Sequence, residues 1–250
     1  MLEIKNLTAG YSGNPVLRYV NLEIPEGKLT VVAGPNGCGK STLLKAIAGI
    51  LPGEREVVLS SQPLHSLPPK ELAKRIAYLP QNRTIPEITA QRLVLHGRFP
   101  YLSYPRRYRP EDIRIAKESM KTLGIESLAD RNLATLSGGQ RQKVYLAMAL
   151  AQDTPVVLLD EPTTFLDIRY QLQLMELTRF LAEQGKTMVL VLHDLAMALE
   201  YADHLVILSG GRIAAQGDAE TVFSSGILKE IFGVEVSRIM TDGGWKYYYG

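Results

Sequence analysis

The sequence predicts an α/β fold built around a phosphate-binding loop, with a β-rich start and an all-helical insertion. Residues 34–42, GPNGCGKST, follow the apolar run KLTVVA and open a helical stretch. The runs PVVLLD, TMVLVLH and HLVILS are continuously apolar, as suits parallel strands buried on both faces. From about residue 86 to 152 no convincing strand pattern interrupts helical spacing. An α/β core of 1–85 and 153–250 therefore hosts a helical subdomain of 86–152, within one 250-residue domain.

Taken in order, LEIKNL, LRYVNLEI and KLTVVAG read as short strands, separated by Gly, Pro and Asn turn signals. KSTLLKAIAG continues the phosphate loop as a helix, and EVVLS is a candidate strand. PPKELAKR is predicted as a helix leading into the strand IAYLP. In PEDIRIAKESMKTLG, residues Ile113, Ile115, Ala116, Met120 and Leu123 recur near helical spacing. QRQKVYLAMALAQ and IRYQLQLMELTRFLAEQ are further helices, and the terminal WKYYYG reads as a packed edge strand.

Composition narrows the classes. Hydrophobic residues make up 46% and charged residues 22%, which suits a soluble globular chain. A formal net charge of +2 gives no electrostatic footprint for a nucleic-acid partner, so none is expected. YPRRYRP mixes basic and aromatic residues, but without a basic surplus elsewhere it reads as a solvated loop. No apolar run approaches the ~18 residues of a membrane span. The polar and acidic start MLEIKNLTAGY is unlike a secretory signal. One cysteine excludes an intramolecular disulfide and fits a reducing compartment.

The loop spacing is Gly34, four residues, then Gly39, Lys40 and Ser41. Gly34, Pro35, Asn36, Gly37, Cys38 and Gly39 would present backbone N–H groups to phosphates, with Thr42 just inside the helix. At Cys38 the backbone matters more than the thiol. Lys40 can reach terminal phosphates, and the Ser41 hydroxyl can bind Mg²⁺. The helix N-terminus adds a positive dipole end. A nucleotide, with Mg²⁺, is the expected ligand. Asp160 and Glu161 close an apolar run, and strand ends are where α/β sheets bind ligands. Asp160 suits Mg²⁺, and Glu161 suits a general base that polarises water. Alone, that pair would be as well explained as an acidic turn; beside a phosphate loop it reads as chemistry. Ser137, Gly138, Gly139 and Gln140 open another long helix, where an N-cap turn explains the serine but not the whole string LSGGQRQ.

In this order, GPNGCGKST, YLPQ, LSGGQ, LLDEP, FLD and LHD resemble the ATPase subunit of ATP-binding-cassette (ABC) transporters over essentially the whole chain. The resemblance implies a P-loop ATPase core with an N-terminal antiparallel β subdomain, and a helical subdomain carrying the LSGGQ signature. It implies that Tyr11 stacks on adenine, that Gln81 contacts Mg²⁺ and senses a membrane partner, and that Lys40, Glu161 and His193 serve hydrolysis. It further implies that Asp167 lies in a loop crossing a dimer interface and that His193 meets the terminal phosphate. Taken singly, Tyr11 could be a turn aromatic, Gln81 a loop residue, Asp167 a helix cap and His193 a core histidine. His65, His96 and His204 show no metal-ligand spacing. One departure lies in EREVVLSSQPL, where serines replace the second glycine usual in the family and leave the hairpin's shape open.

HGRFPY and EPTTFLDIRYQ resemble the importer branch that handles ferric siderophores, haem and cobalamin. The resemblance implies a homodimer of ATPase subunits at the cytoplasmic face of the membrane, with a separate permease and an upstream substrate-binding protein. A permease helix is expected between the Gln81 loop and Arg98–Tyr101. A soluble iron–sulfur assembly ATPase is the alternative, because DNA-repair and translation members differ in insertion or cassette number. A non-catalytic cassette should lack Glu161 or His193.

Overall fold

The structure is a computed structural model that describes residues 1–81, 83–164 and 166–250; Asn82, and Phe165 of the FLD motif, lie outside the described residues. The chain begins with β1 (Leu2–Tyr11), β2 (Asn14–Ile24) and β3 (Leu29–Ala33), then α1 (Lys40–Ile47), β4 (Gly53–Leu59) and β5 (Gln62–Pro63). A short α2 (Pro69–Leu72) precedes β6 (Ile76–Leu79). Then α3 (Ala90–His96), α4 (Pro110–Thr122) and α5 (Gly138–Ala151) lead to β7 (Val156–Leu159). There follow α6 (Ile168–Glu183), β8 (Thr187–Val191), α7 (Leu195–Tyr201), β9 (His204–Ser209) and β10 (Arg212–Gly217). The chain closes with α8 (Ala219–Ser224), α9 (Ile227–Phe232), β11 (Val236–Thr241) and β12 (Gly244–Tyr249).

The main sheet has the order β10-β9-β3-β8-β7-β6, and only β10 runs antiparallel to its neighbour. Its central strands are buried on both faces, which accounts for their unbroken apolar runs. Alternate residues feed two cores. Val31, Val157 and Leu190 join a core shared with α3–α9, whereas Val32, Leu158 and Val189 join one shared with α1 and the antiparallel sheet β2-β1-β4-β5. Period-two alternation thus places a helical layer on one face and a β layer on the other.

One local reading differs from expectation, and one left open is decided. The helix predicted over PPKELAKR stops after Leu72, because Lys74 and Arg75 close tight turns onto Glu71 and Leu72 and hand the chain to β6. The β4–β5 hairpin forms despite its missing glycine. Ser60 and Ser61 take left-handed φ values of 46° and 68° in a two-residue turn that pairs Leu59 with Gln62. At the C-terminus, WKYYYG forms β12, which pairs with β11 alone.

Between β6 and β7, the described residues contain helices, short 3₁₀ turns and one isolated bridge, Thr89–Asn132. Inside this region Arg98 is buried. Its Nε lies 3.0 Å from Asp112 Oδ1, its Nη1 donates to the Ala151 carbonyl at 3.0 Å, and its guanidinium stacks on Tyr101. Arg98 is therefore an internal tie and not the docking surface expected of it, whereas the adjacent Phe99 is exposed. Arg98→Ala would strand the Asp112 carboxylate in the interior and is expected to cost about 3–5 kcal/mol. Urea unfolding checks this; a loss within the range of a surface substitution would contradict the internal role.

Candidate active site

Three of the predicted residues stand at the same offset from neighbouring strands. Gln81 lies two positions past β6, Glu161 two past β7, and His193 two past β8. Those strands are adjacent and parallel, with Leu79 paired to Leu159 and Leu159 to Leu190. Their side chains therefore meet. Gln81 Nε2 donates to Glu161 Oε2, His193 Nε2 lies 2.7 Å from Glu161 Oε1, and Thr164 Oγ1 donates to Oε2 at 3.2 Å. Glu161 itself has φ 48°, a left-handed value rare outside glycine and common at functional sites.

The phosphate loop leaves β3, on the other side of β8. Gly39 has φ 109° and immediately precedes α1. A side chain at Gly34 would place its Cβ 2.2 Å from the Leu208 carbonyl, so the loop's turn has no room for one. Lys40 folds back, donating from Nζ to the carbonyls of Gly34 at 2.8 Å and Pro35 at 3.0 Å. Asn36 and Gly37 are exposed at the loop's crest. The Cys38 side chain is buried, and burial pushes its thiol pKa up. Only the backbone of residue 38 is thus placed to meet a ligand at the loop.

Ser41 Oγ donates to Asp160 Oδ1 at 2.8 Å, and the Tyr78 hydroxyl donates to Oδ2 at 3.0 Å. Burial, and then Asp160 itself, raise the Tyr78 pKa far above its ordinary value, so the phenol remains a donor. The set of hydroxyl, carboxylate and amide oxygens offered by Ser41, Asp160 and Gln81 is hard and anionic, which fits Mg²⁺. Tyr78 and Thr164 belong to the site but carry no sequence signal of their own, although Tyr78 opens the quoted YLPQ string.

The remaining residues lie apart. Tyr11 ends β1, is 46% exposed, and has the Lys45 ammonium 5.9 Å from its ring centroid. Ser137 caps α5 by accepting from Gln140 N at 3.3 Å, and the Gln140 side chain returns to Ser137 N. Gly138 and Gly139 form the first turn of that helix. Asp167 caps α6, accepting from Tyr170 N at 3.0 Å. Among the described residues, 137–140 make no side-chain hydrogen bond to loop 34–42. Arg83 was not singled out by sequence, yet it joins the Pro80 carbonyl, the Gln142 amide and the Tyr145 ring. His65 and His96 are exposed, and burial holds the partly buried His204 below its ordinary pKa.

Together the fold and the loop define a P-loop nucleotide-binding protein. A family model described as ABC transporter matches residues 17–164. The ferric enterobactin transport ATP-binding protein FepC of Escherichia coli is 44% identical, covering 92% of this chain and 86% of that protein. The petrobactin import ATP-binding protein FpuD of Bacillus anthracis is 40% identical, covering 96% and 89%. Among solved structures, an inward-facing metal-chelate type ABC transporter superposes with TM-score 0.84 at 26% identity, over 100% of this chain and 96% of that one. A dimeric ATP-binding cassette bound to ADP and phosphate gives TM-score 0.74 at 32% identity, over 88% and 99%. The chain belongs to the ATP-binding subunits of ABC transporters, whose ATP hydrolysis is coupled to transport.

Asp160 offers a test of the metal pole. Burial is the largest influence and holds its carboxyl above the ordinary aspartate value of 3.8, while the Ser41 and Tyr78 hydroxyls pull it down. A raised folded pKa means that its stabilising contribution is complete below the unfolded value and is lost as pH rises through the folded one. Asp160→Asn is therefore expected to raise the melting temperature of the nucleotide-free chain at neutral pH, to gain nothing in acid, and to lose Mg-ATP hydrolysis. Thermal melts across that range check it; a lower melting temperature at neutral pH would contradict the burial argument.

Proposed function

We propose that Glu161 is the general base of ATP hydrolysis, in a site completed by a second copy of the chain, and that the cargo moved is a ferric siderophore. The observation that carries this reading is the Glu161 carboxylate, held between Gln81 and His193 at the C-terminal edge of the sheet. ATP phosphates would enter loop 34–39, drawing Lys40 off the Gly34 and Pro35 carbonyls it now occupies. Tyr11, at the end of β1, would stack on adenine. Ser41, Gln81 and Asp160 would hold Mg²⁺, which when bound neutralises phosphate charge. Glu161 then accepts a proton from water as the water oxygen bonds to the terminal phosphorus and the bond to ADP breaks. His193 would leave Glu161 for the terminal phosphate, and the proton would pass on to the released phosphate.

Residues 86–152 are read as a subdomain that presents Ser137–Gln140 outward to the partner subunit's phosphate loop. Two sites would form under two-fold symmetry, with Asp167 at the seam. The dimeric relative supports this arrangement. Closure would pull together two permease halves docked beside Gln81, where Ile85 is exposed, and reaching toward the exposed Phe99. The siderophore-transport names of the relatives support an iron chelate as cargo, with cobalamin or haem next, and favour transport over iron–sulfur assembly. No helix of the described residues is long and apolar enough to cross a membrane, which suits a peripheral subunit at the cytoplasmic face working beneath a permease and an upstream binding protein.

Glu161→Gln keeps the length of the side chain and its partners but removes the base. It is expected to retain ATP binding, lose roughly 10²–10⁴ in hydrolysis, and accumulate as a dimer with Mg-ATP. Sizing chromatography with bound-nucleotide counting reads both effects. A variant that hydrolyses at the parental rate, or stays monomeric at saturating Mg-ATP, sinks the reading.

A further inference from the structure

Among the described residues, β11 and β12 pair only with each other and belong to neither larger sheet. Yet Tyr249 on β12 reaches the start of α7, beside the histidine of the active site. Its hydroxyl accepts from Leu195 N at 2.9 Å and Ala196 N at 3.3 Å, and donates to Asp194 Oδ1 at 2.9 Å. The two amides are first-turn groups that have no partner within their own helix. The same Asp194 oxygen also accepts from Met197 N at 3.1 Å, so one carboxylate oxygen joins the helix cap to the hairpin.

His193 sits between two fixed neighbours. On one side Leu192 N donates to the Val32 carbonyl at 3.2 Å, anchoring the chain to the strand that carries the phosphate loop. On the other side Asp194 and Leu195 are held by Tyr249. Between these anchors His193 Nε2 lies 2.7 Å from Glu161 Oε1. The imidazole itself is 46% exposed, so packing alone does not set its direction. Besides its contact with Glu161, what is fixed is the backbone on either side of it, at Leu192 and at Leu195 and Ala196.

The hairpin is carried by contacts other than this hydroxyl. Arg238 pairs with Glu220 and lies 4.7 Å from the Phe223 ring and 4.2 Å from the Trp245 ring, while Lys246 pairs with Glu200 on α7. Tyr247 meets Phe223 edge-on with centroids 5.4 Å apart. Removing one hydroxyl therefore leaves the hairpin docked and frees only the start of α7.

We propose that Tyr249 is a positioning residue for ATP hydrolysis: through Asp194 and the first turn of α7 it sets the aim of His193 at Glu161 and at the terminal phosphate. The proposal rests on the reading of His193 given above. Tyr249→Phe keeps the ring and deletes the bonds. In the full chain, kcat for ATP is expected to fall about threefold to tenfold, with KM for ATP at the parental value and the melting temperature lowered only slightly, well above the assay temperature. Histidine-selective ring NMR is expected to show the His193 signal moved, with His65 and His96 unmoved. An unchanged kcat, an unmoved His193 signal, or a kcat loss accounted for by unfolded chain at the assay temperature would each overturn the proposal. His193→Ala is measured alongside: if it stays fully active, the reading of His193 has failed. If it is inactive while Tyr249→Phe is not, only the positioning role has.

Discussion

The carboxylate of Glu161 takes Gln81 on one oxygen and His193 on the other, and it can do so only because β6, β7 and β8 lie side by side in parallel register. Each strand ends on an apolar residue, each chain turns away after it, and each functional side chain sits two residues on. A slip of one residue in any of these pairings would turn that side chain to the opposite face. The register is guarded by burial on both faces, since alternate residues of the same strands serve two separate cores. β3 brings the phosphate loop to the same edge, and with it Ser41 to Asp160. The gathering of these side chains at one edge is thus a consequence of sheet order.

That edge carries local costs. Asp160 is a buried carboxylate whose charge is opposed by its surroundings, and Glu161 holds a left-handed backbone. Lys40 satisfies itself on carbonyls of its own loop. In the proposed reading these groups would meet partners of complementary charge, phosphate for Lys40 and a divalent cation for Asp160. The apolar cores on either side of the sheet offset these local costs.

Much of this was legible because its signals are local. The glycine spacing of 34–39, the acidic pair closing an apolar run, and the unbroken apolar strands each fall within a few residues. The partners that complete the site are distant in sequence. Tyr78 meets Asp160 from 82 positions away, and Tyr249 meets Asp194 from 55. No periodicity reports such pairings. Arg98 misled for the same reason: a segment next to the Gln81 loop is expected to offer it for docking, whereas Asp112 and the Ala151 carbonyl hold it inside. The serine turn at 60–61 shows that strand pairing can hold a left-handed turn that local propensity would give to asparagine or glycine. The cargo left no trace in the chain's own chemistry, because transport ATPases act through a permease.

The central claim is that one chain's phosphate loop and another's Ser137 turn enclose the same nucleotide. Asn36 and Ser137 are both exposed, so a thiol at either position is open to a crosslinker. The direct measurement mixes two Cys38→Ser chains, one carrying Asn36→Cys and the other Ser137→Cys, and adds a short bifunctional maleimide with and without Mg-ATP. Crosslinked dimers that require both chains and Mg-ATP are the predicted result. A mixture that crosslinks no better than either chain alone would contradict the shared site.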